Sequence, residues 1–262
     1  MSIRIVQIDA FTDRPFAGNP AAVCLLEQPR EVDWMQAVAA EMNLSETAFV
    51  RPIDVGYELR WFTPQVEVDL CGHATLAAAH ALWTEAGISP NETLRFQTRS
   101  GQLTAKRRGA LIQLDFPATP AKPCDPPAGL IEALPVDPIF VGETKFDTLV
   151  VIESEAQLRS LQPDFARLAK IPTRGVIVTC GSKSPEFDFV SRFFGPAAGI
   201  DEDPVTGSAH CCLAPYWGPQ LGKTEMTGYQ ASSRGGIVQT QIAGDRILLS
   251  GAAVTVLRGE LV

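Results

Sequence analysis

Glu46, His73 and Asp203 are the side chains best suited to moving protons in this chain. Glu46 stands in Met42-Asn43-Leu44-Ser45-Glu46-Thr47-Ala48-Phe49-Val50, between a predicted helix end and an apolar strand. A carboxylate hemmed in by Leu44, Ala48 and Phe49 is poorly solvated, and desolvation lifts a carboxyl pKa toward general acid/base range. A capping role fits the same Ser-Glu pair equally well. His73 follows Gly72 at the start of an alanine-rich run, where an imidazole can donate or accept near neutral pH; a structural histidine is the alternative. Asp203 closes Asp201-Glu202-Asp203, just ahead of Thr206-Gly207-Ser208. Acids before a helix start also serve as caps and offset the helix dipole. Asp203 is the one near enough to the turn to reach a substrate as well.

Gly72 and Gly207 each open a predicted helix. Without a Cβ, the backbone there can approach a ligand closely. The first N–H groups of each helix lack internal partners and carry about half a positive charge. Two such starts facing one another across a cleft would hold a carboxylate or enolate. Tight helix–strand packing is the other use of these glycines, but His73 and Ser208 follow them in matched places and both can donate. Cys71 precedes Gly72, yet the matching position is Thr206, so a two-thiol mechanism is not supported. Cys71, His73, His210, Cys211 and Cys212 lack the paired spacing of a zinc site, and no metal is expected. His80 and His210 read as structural. Gly235-Gly236 is a turn and not a dinucleotide fingerprint, and Ser208 lacks a G-x-S-x-G elbow. No cofactor is expected.

The elements that carry these residues are duplicated. Arg60-Trp61-Phe62-Thr63-Pro64 leads to Cys71-Gly72-His73-Ala74, and Arg192-Phe193-Phe194-Gly195-Pro196 leads to Thr206-Gly207-Ser208-Ala209. Gly72 and Gly207 lie 135 positions apart (207 − 72), as do Leu103 and Val238, and Gly109 and Gly244. Arg60 and Arg192 lie 132 apart (192 − 60), so the second copy carries three extra residues in its loop. Strands are predicted over 3–11, 21–26, 47–51 and 57–62, then 95–98, 103–107 and 110–116. Asp33 is the expected cap of a helix over Trp34–Met42, and a second helix runs from Thr75 to Ala86, ending at Gly87. The prolines of Pro117–Pro127 mark a linker. The second half repeats the order, with a helix over 163–168 and a short helix from Ser208. Many antiparallel strands around one helix per half indicate the α+β class. The expected lobes are 1–117 and 118–262, with the last strand free to pack back on the first.

The net charge of −8 over 262 residues argues against nucleic acid or an anionic membrane as a general partner. No apolar run approaches the roughly 20 residues of a membrane span, and the first residues lack a secretory signal. Six cysteines show no disulfide framework. A reduced, cytoplasmic protein is expected.

These motifs resemble the phenazine-biosynthesis PhzF-like isomerase family. The resemblance rests on Asp9-Ala10-Phe11 with Phe16-Ala17-Gly18-Asn19-Pro20 and on Asn43-Leu44-Ser45-Glu46-Thr47-Ala48-Phe49. It continues in Asp69-Leu70-Cys71-Gly72-His73-Ala74-Thr75 and in Gly199-Ile200-Asp201-Glu202-Asp203-Pro204-Val205-Thr206-Gly207-Ser208. It implies a diaminopimelate-epimerase-like fold of two pseudo-symmetric lobes, each a curved, mostly antiparallel, barrel-like sheet around a central helix. It also implies a homodimer and cofactor-independent proton transfer on a small carboxylated metabolite. Glu46 would move the proton, His73 and Asp203 would assist, and Asn19, Ser45, Gly72, Gly207 and Ser208 would hold the substrate. The rival readings are an amino-acid-type racemase or epimerase and a non-catalytic protein that binds a small molecule in the same cleft.

Overall fold

The computed structural model describes residues 2–262. The chain divides into two compact units, Met1–Phe116 with Leu248–Val262, and Pro117–Ile247. The expected lobes divided at 117/118, with the last strand free to pack back on the first; Leu248–Val262 belong to the first unit.

The first unit runs β1 (Ile3–Ala10), β2 (Asn19–Leu25), α1 (Val32–Met42), β3 (Glu46–Pro52), β4 (Tyr57–Phe62) and β5 (Glu67–Val68). Then come α2 (Gly72–Glu85), β6 (Leu94–Thr98), β7 (Gly101–Arg108) and β8 (Leu111–Pro117). The second unit runs β9 (Lys122–Pro123), α3 (Leu130–Ala133), β10 (Phe140–Glu143), β11 (Asp147–Val151), α4 (Glu155–Ser160) and α5 (Phe165–Leu168). It continues with β12 (Gly175–Gly181), β13 (Phe189–Gly195), β14 (Ile200–Asp203), α6 (Gly207–Leu221), β15 (Glu225–Gln230) and β16 (Gly236–Ala243). The chain ends in β17 (Arg246–Gly251) and β18 (Ala253–Leu261), the latter antiparallel to β1.

Both units use one pairing scheme. In the first, β2–β3 and β4–β6 are parallel while β1–β2, β3–β4, β4–β5 and β6–β7 are antiparallel. In the second, β11–β12 and β13–β15 are parallel while β10–β11, β12–β13, β13–β14 and β15–β16 are antiparallel. The fold is sheet-dominated α+β. The left-handed turns repeat as well: Gly87 and Gly222 follow α2 and α6, and Gly109 and Gly244 turn the hairpins after β7 and β16, all with φ between 64° and 71°. The longer loop of the second copy opens with a single 3₁₀ turn, Pro196–Ala198.

In each unit one long helix, α2 or α6, packs against strands of that unit. In α2, His73, Ala74, Thr75, Leu76, Ala77, Ala78, Ala79, Ala81, Leu82 and Trp83 are all buried. Burial on every side is the signature of a core helix, and the alanines let β1, β2, β3 and β18 pack close to it. The helix α6 is longer than the short one expected, because Pro215 and Pro219 do not stop it. Pro215 has no N–H for the Cys211 carbonyl four residues back. Thr119 N–H donates to that carbonyl at 3.0 Å, so the group stays satisfied. The proline-rich segment is therefore structured: Lys122–Pro123 pairs with β10. The expected Asp33 cap is corrected too. Glu31 is the N-cap residue, without a side-chain hydrogen bond, and Asp33 lies in the first turn of α1.

Candidate active site

In the first unit, the β1–β2 connection is bent sharply to deliver Asn19. Gly18 has φ +64°, and a Cβ there would sit 2.2 Å from the Ala10 carbonyl oxygen, so glycine is required. Phe16 N–H donates to Asp9 Oδ2 at 2.7 Å, closing the turn. Asn19 then opens β2 as a fully buried residue. Two positions along, Ala21 lies opposite Glu46 in the parallel β2–β3 pairing. Glu46 is the first residue of β3, and half-buried Ser45 precedes it. The start of α2 supplies the rest: Cys71 as the N-cap residue in extended conformation, Gly72 as the first helical residue, then buried His73.

These elements bring four polar side chains together. Glu46 Oε2 lies 3.1 Å from His73 Nε2. The Asn19 amide nitrogen lies 3.1 Å from His73 Nδ1, and Cys71 Sγ lies 3.5 Å from the same nitrogen. Burial opposes charge on the His73 ring, but negative charge on Cys71 and Glu46, with their hydrogen bonds, outweighs it and holds the ring well above its ordinary 6.5. Burial, with Glu46 beside it, pushes the Cys71 thiol up, while His73 pulls it down. With the thiol neutral, Glu46 remains as the charge that holds the ring up. The Asn19 amide hydrogens work the other way, favouring an Nδ1 that accepts and an Nε2–H that faces Glu46. The ring thus keeps its hydrogen on the Glu46 side in either state. Donor atoms of Glu46, Cys71 and His73 all lie within 4.8 Å of one another, the one set of this kind among the described residues.

In the second unit, the start of α6 is held by a network the sequence did not reveal. Buried Gln230 accepts from Thr206 N–H at 2.8 Å and donates to the Asp203 carbonyl at 2.8 Å. Thr206 Oγ1 donates to Asp203 Oδ2 at 2.5 Å. Arg174 donates through Nε and Nη2 to buried Asp147, and through Nη2 to Ser208 Oγ at 3.0 Å. Gly207, the first helical residue, is buried. The acids before α6 are not caps for it. Glu202 accepts twice from Arg192, and Asp203 serves Thr206. His210 is structural, as expected: its Nδ1 lies 2.9 Å from the Thr206 carbonyl, and burial pushes its pKa down to about 4. His80 is likewise held at about 4 by burial first and Arg107 second. The five residues weighed against a zinc site fall in different units, with Cys71 and His73 in one and His210, Cys211 and Cys212 in the other.

Strand register identifies the counterpart of Glu46. Thr47 faces Phe62 in the first unit, and Val176 faces Phe194 in the second. Phe62 and Phe194 share the 132-residue offset of the Arg-Phe motif (194 − 62), so Glu46 corresponds to Gly175. A Cβ at Gly175 would lie 2.2 Å from the Phe193 ring, so that ring must move before any side chain fits there. Arg174, Asp147 and Gln230 carry no local signal: their partners lie 24 to 34 residues away.

The family model for phenazine biosynthesis-like proteins matches residues 8–259. An uncharacterized isomerase of Halalkalibacterium halodurans is 55% identical over 262 residues, covering 100% of this chain and 99% of the relative. The crystal structure of a PhzF-family protein from Enterococcus faecalis superposes with a TM-score of 0.95 at 40% identity, with 100% of both chains covered. A predicted epimerase of Pseudomonas aeruginosa, 22% identical with a TM-score of 0.75 and 99% of both chains covered, shares the fold. None of the described helices is long and apolar enough to cross a membrane. Continuous agreement in sequence and structure along the chain places it in the PhzC-PhzF family of phenazine biosynthesis-like proteins, as an isomerase.

Proposed function

We infer that this isomerase shifts a proton between carbons of a small carboxylated substrate, with Glu46 as the general acid/base and no cofactor. The observation that carries this reading is the 3.1 Å approach of Glu46 Oε2 to His73 Nε2 at the start of α2. Glu46 takes a proton from an activated carbon. His73 then presents Nε2–H to the newly neutral carboxyl, keeps it in place and steadies the charge it returns. The N–H groups of Gly72 and His73 orient the substrate carboxylate, with Asn19 and Ser45 beside them. Asp203 is proposed as an assisting acid, and Gly207 and Ser208 as substrate donors, as the family resemblance implies. A positioned base of this kind contributes about 10²–10⁴-fold. A homodimer is proposed on the same resemblance.

Epimerisation at a single stereocentre is the second reading, favoured by Cys71 lying 3.5 Å from His73 Nδ1. The two are separated by running the reaction in deuterium oxide and locating the label by NMR. A proton shift puts deuterium on a different carbon from the one deprotonated. Label confined to one inverted carbon overturns the shift.

A further inference from the structure

The grouping of Glu46, Cys71 and His73 has a consequence beyond proton transfer. The three donors are a thiol, an imidazole and a carboxylate, the ligand types that zinc takes in mixed sites. Their ligating atoms lie within 4.8 Å of one another. Around a tetrahedral ion such atoms sit roughly 3.3–3.7 Å apart, so the set must contract by on the order of 1 Å. Cys71 Sγ to His73 Nδ1 at 3.5 Å already meets that span, while Glu46 Oε2 lies 3.1 Å from the other ring nitrogen, Nε2. A single ion uses one ring nitrogen, and the other acidic group swings to meet it. Glu46 is the less buried of the two, its side chain 14% exposed against 5% for His73.

Charge favours the same outcome. Ionising Cys71 alone leaves a buried thiolate beside a carboxylate, which is costly. A divalent cation with a thiolate, a carboxylate and a neutral ring makes the site formally neutral. We propose that Glu46, Cys71 and His73 form a latent site for a thiophilic divalent cation of the zinc class, with the fourth coordination position open. Occupation displaces the Cys71 thiol proton, and any proton on the ligating ring nitrogen, to solvent. Hard cations such as magnesium do not compete for a thiolate-imidazole set. The remaining cysteine–histidine cluster is no rival: His210 Nδ1 lies 2.9 Å from the Thr206 carbonyl, and the Cys211 thiol lies 3.7 Å from the Gly207 carbonyl. The site stands on geometry alone. Its effect on turnover, which is inhibition because the ion takes the lone pairs that would accept the proton, rests on the reading of Glu46 given above.

Cobalt(II) is the probe, titrated into the full-length protein with no substrate present. The expected result is a saturable near-ultraviolet thiolate-to-cobalt charge-transfer band, removed by one equivalent of zinc. Cys71→Ser abolishes the band, and Glu46→Gln keeps it but weakens binding at least tenfold. Circular dichroism checks that each variant is folded, and Glu46→Gln carries the test if Cys71→Ser does not fold. Absence of the band in the wild type, its survival in Cys71→Ser, or unchanged affinity in Glu46→Gln overturns the site. If cobalt binding behaves as expected while Glu46→Gln still exchanges substrate hydrogen, the cation site stands and the acid/base reading falls.

Discussion

The two helix starts, Cys71-Gly72-His73 and Thr206-Gly207-Ser208, hold the same place in their units and meet different neighbours. In the first unit the adjoining parallel strand begins at Glu46, and its carboxylate pairs with His73. In the second the corresponding strand begins at Gly175, where the Phe193 ring takes the space of a side chain, and the preceding residue, Arg174, reaches Ser208. One copy sets a carboxylate against an imidazole. The other has replaced them with hydroxyls, an amide and a permanently charged guanidinium. The two units offer equivalent frames, and only the first pairs a carboxylate with an imidazole.

The comparison also makes unequal demands on a shared ion pair. Arg60 and Arg192 each donate twice to a glutamate on the next strand, Glu67 and Glu202. Glu67 has Arg99 as a second partner at 2.8 Å, whereas Arg192 also donates to the carbonyls of Leu158 and Leu161. Arg192→Gln therefore strands a carboxylate and removes a donor from two carbonyls, and should cost about 3 kcal/mol in urea unfolding. Arg60→Gln should cost about 1 kcal/mol. Equal losses would mean the two copies are not differently braced.

Smaller effects sharpen the same contrast. Gly175→Ala should destabilise by about 1–3 kcal/mol, since its methyl group must displace the Phe193 ring. A neutral or stabilising result would mean the second copy could have kept an acid. The pH dependence follows from His73. Its folded pKa lies above the unfolded value of about 6.5, so its contribution is fully present below that value and fades as pH rises through the folded pKa. The stability gap between wild type and Glu46→Gln should be on the order of 1 kcal/mol at pH 6 and shrink at alkaline pH. A gap that widens with pH would reverse the assignment.

Much of this frame was legible in the chain. The 135-residue spacing recurs in the left-handed turns at Gly109 and Gly244, because a hairpin glycine is dictated locally. Glu46 and His73 announced themselves by position, one at a strand start and one at a helix start. The bracing of α6 did not. Gln230 and Arg174 act through partners far along the chain, and no periodicity encodes such contacts. The full length of α6 was not legible from Ser208 onward, since the Thr119 N–H that satisfies the Cys211 carbonyl beside Pro215 comes from a segment that read as linker. The triple acid before α6 looked like a cap, because Arg192, the partner that claims Glu202, is visible only once β13 and β14 pair.

Hydrogen exchange with solvent tests the asymmetry most directly. The protein is incubated in deuterium oxide with a panel of small cyclic and unsaturated carboxylates, and incorporation is followed by mass spectrometry. Wild type should label at least one of them. Glu46→Gln should lose about 10²–10⁴-fold in rate, while Ser208→Ala slows labelling without abolishing it. Labelling by Glu46→Gln at the wild-type rate would contradict the assignment of proton transfer to the first unit.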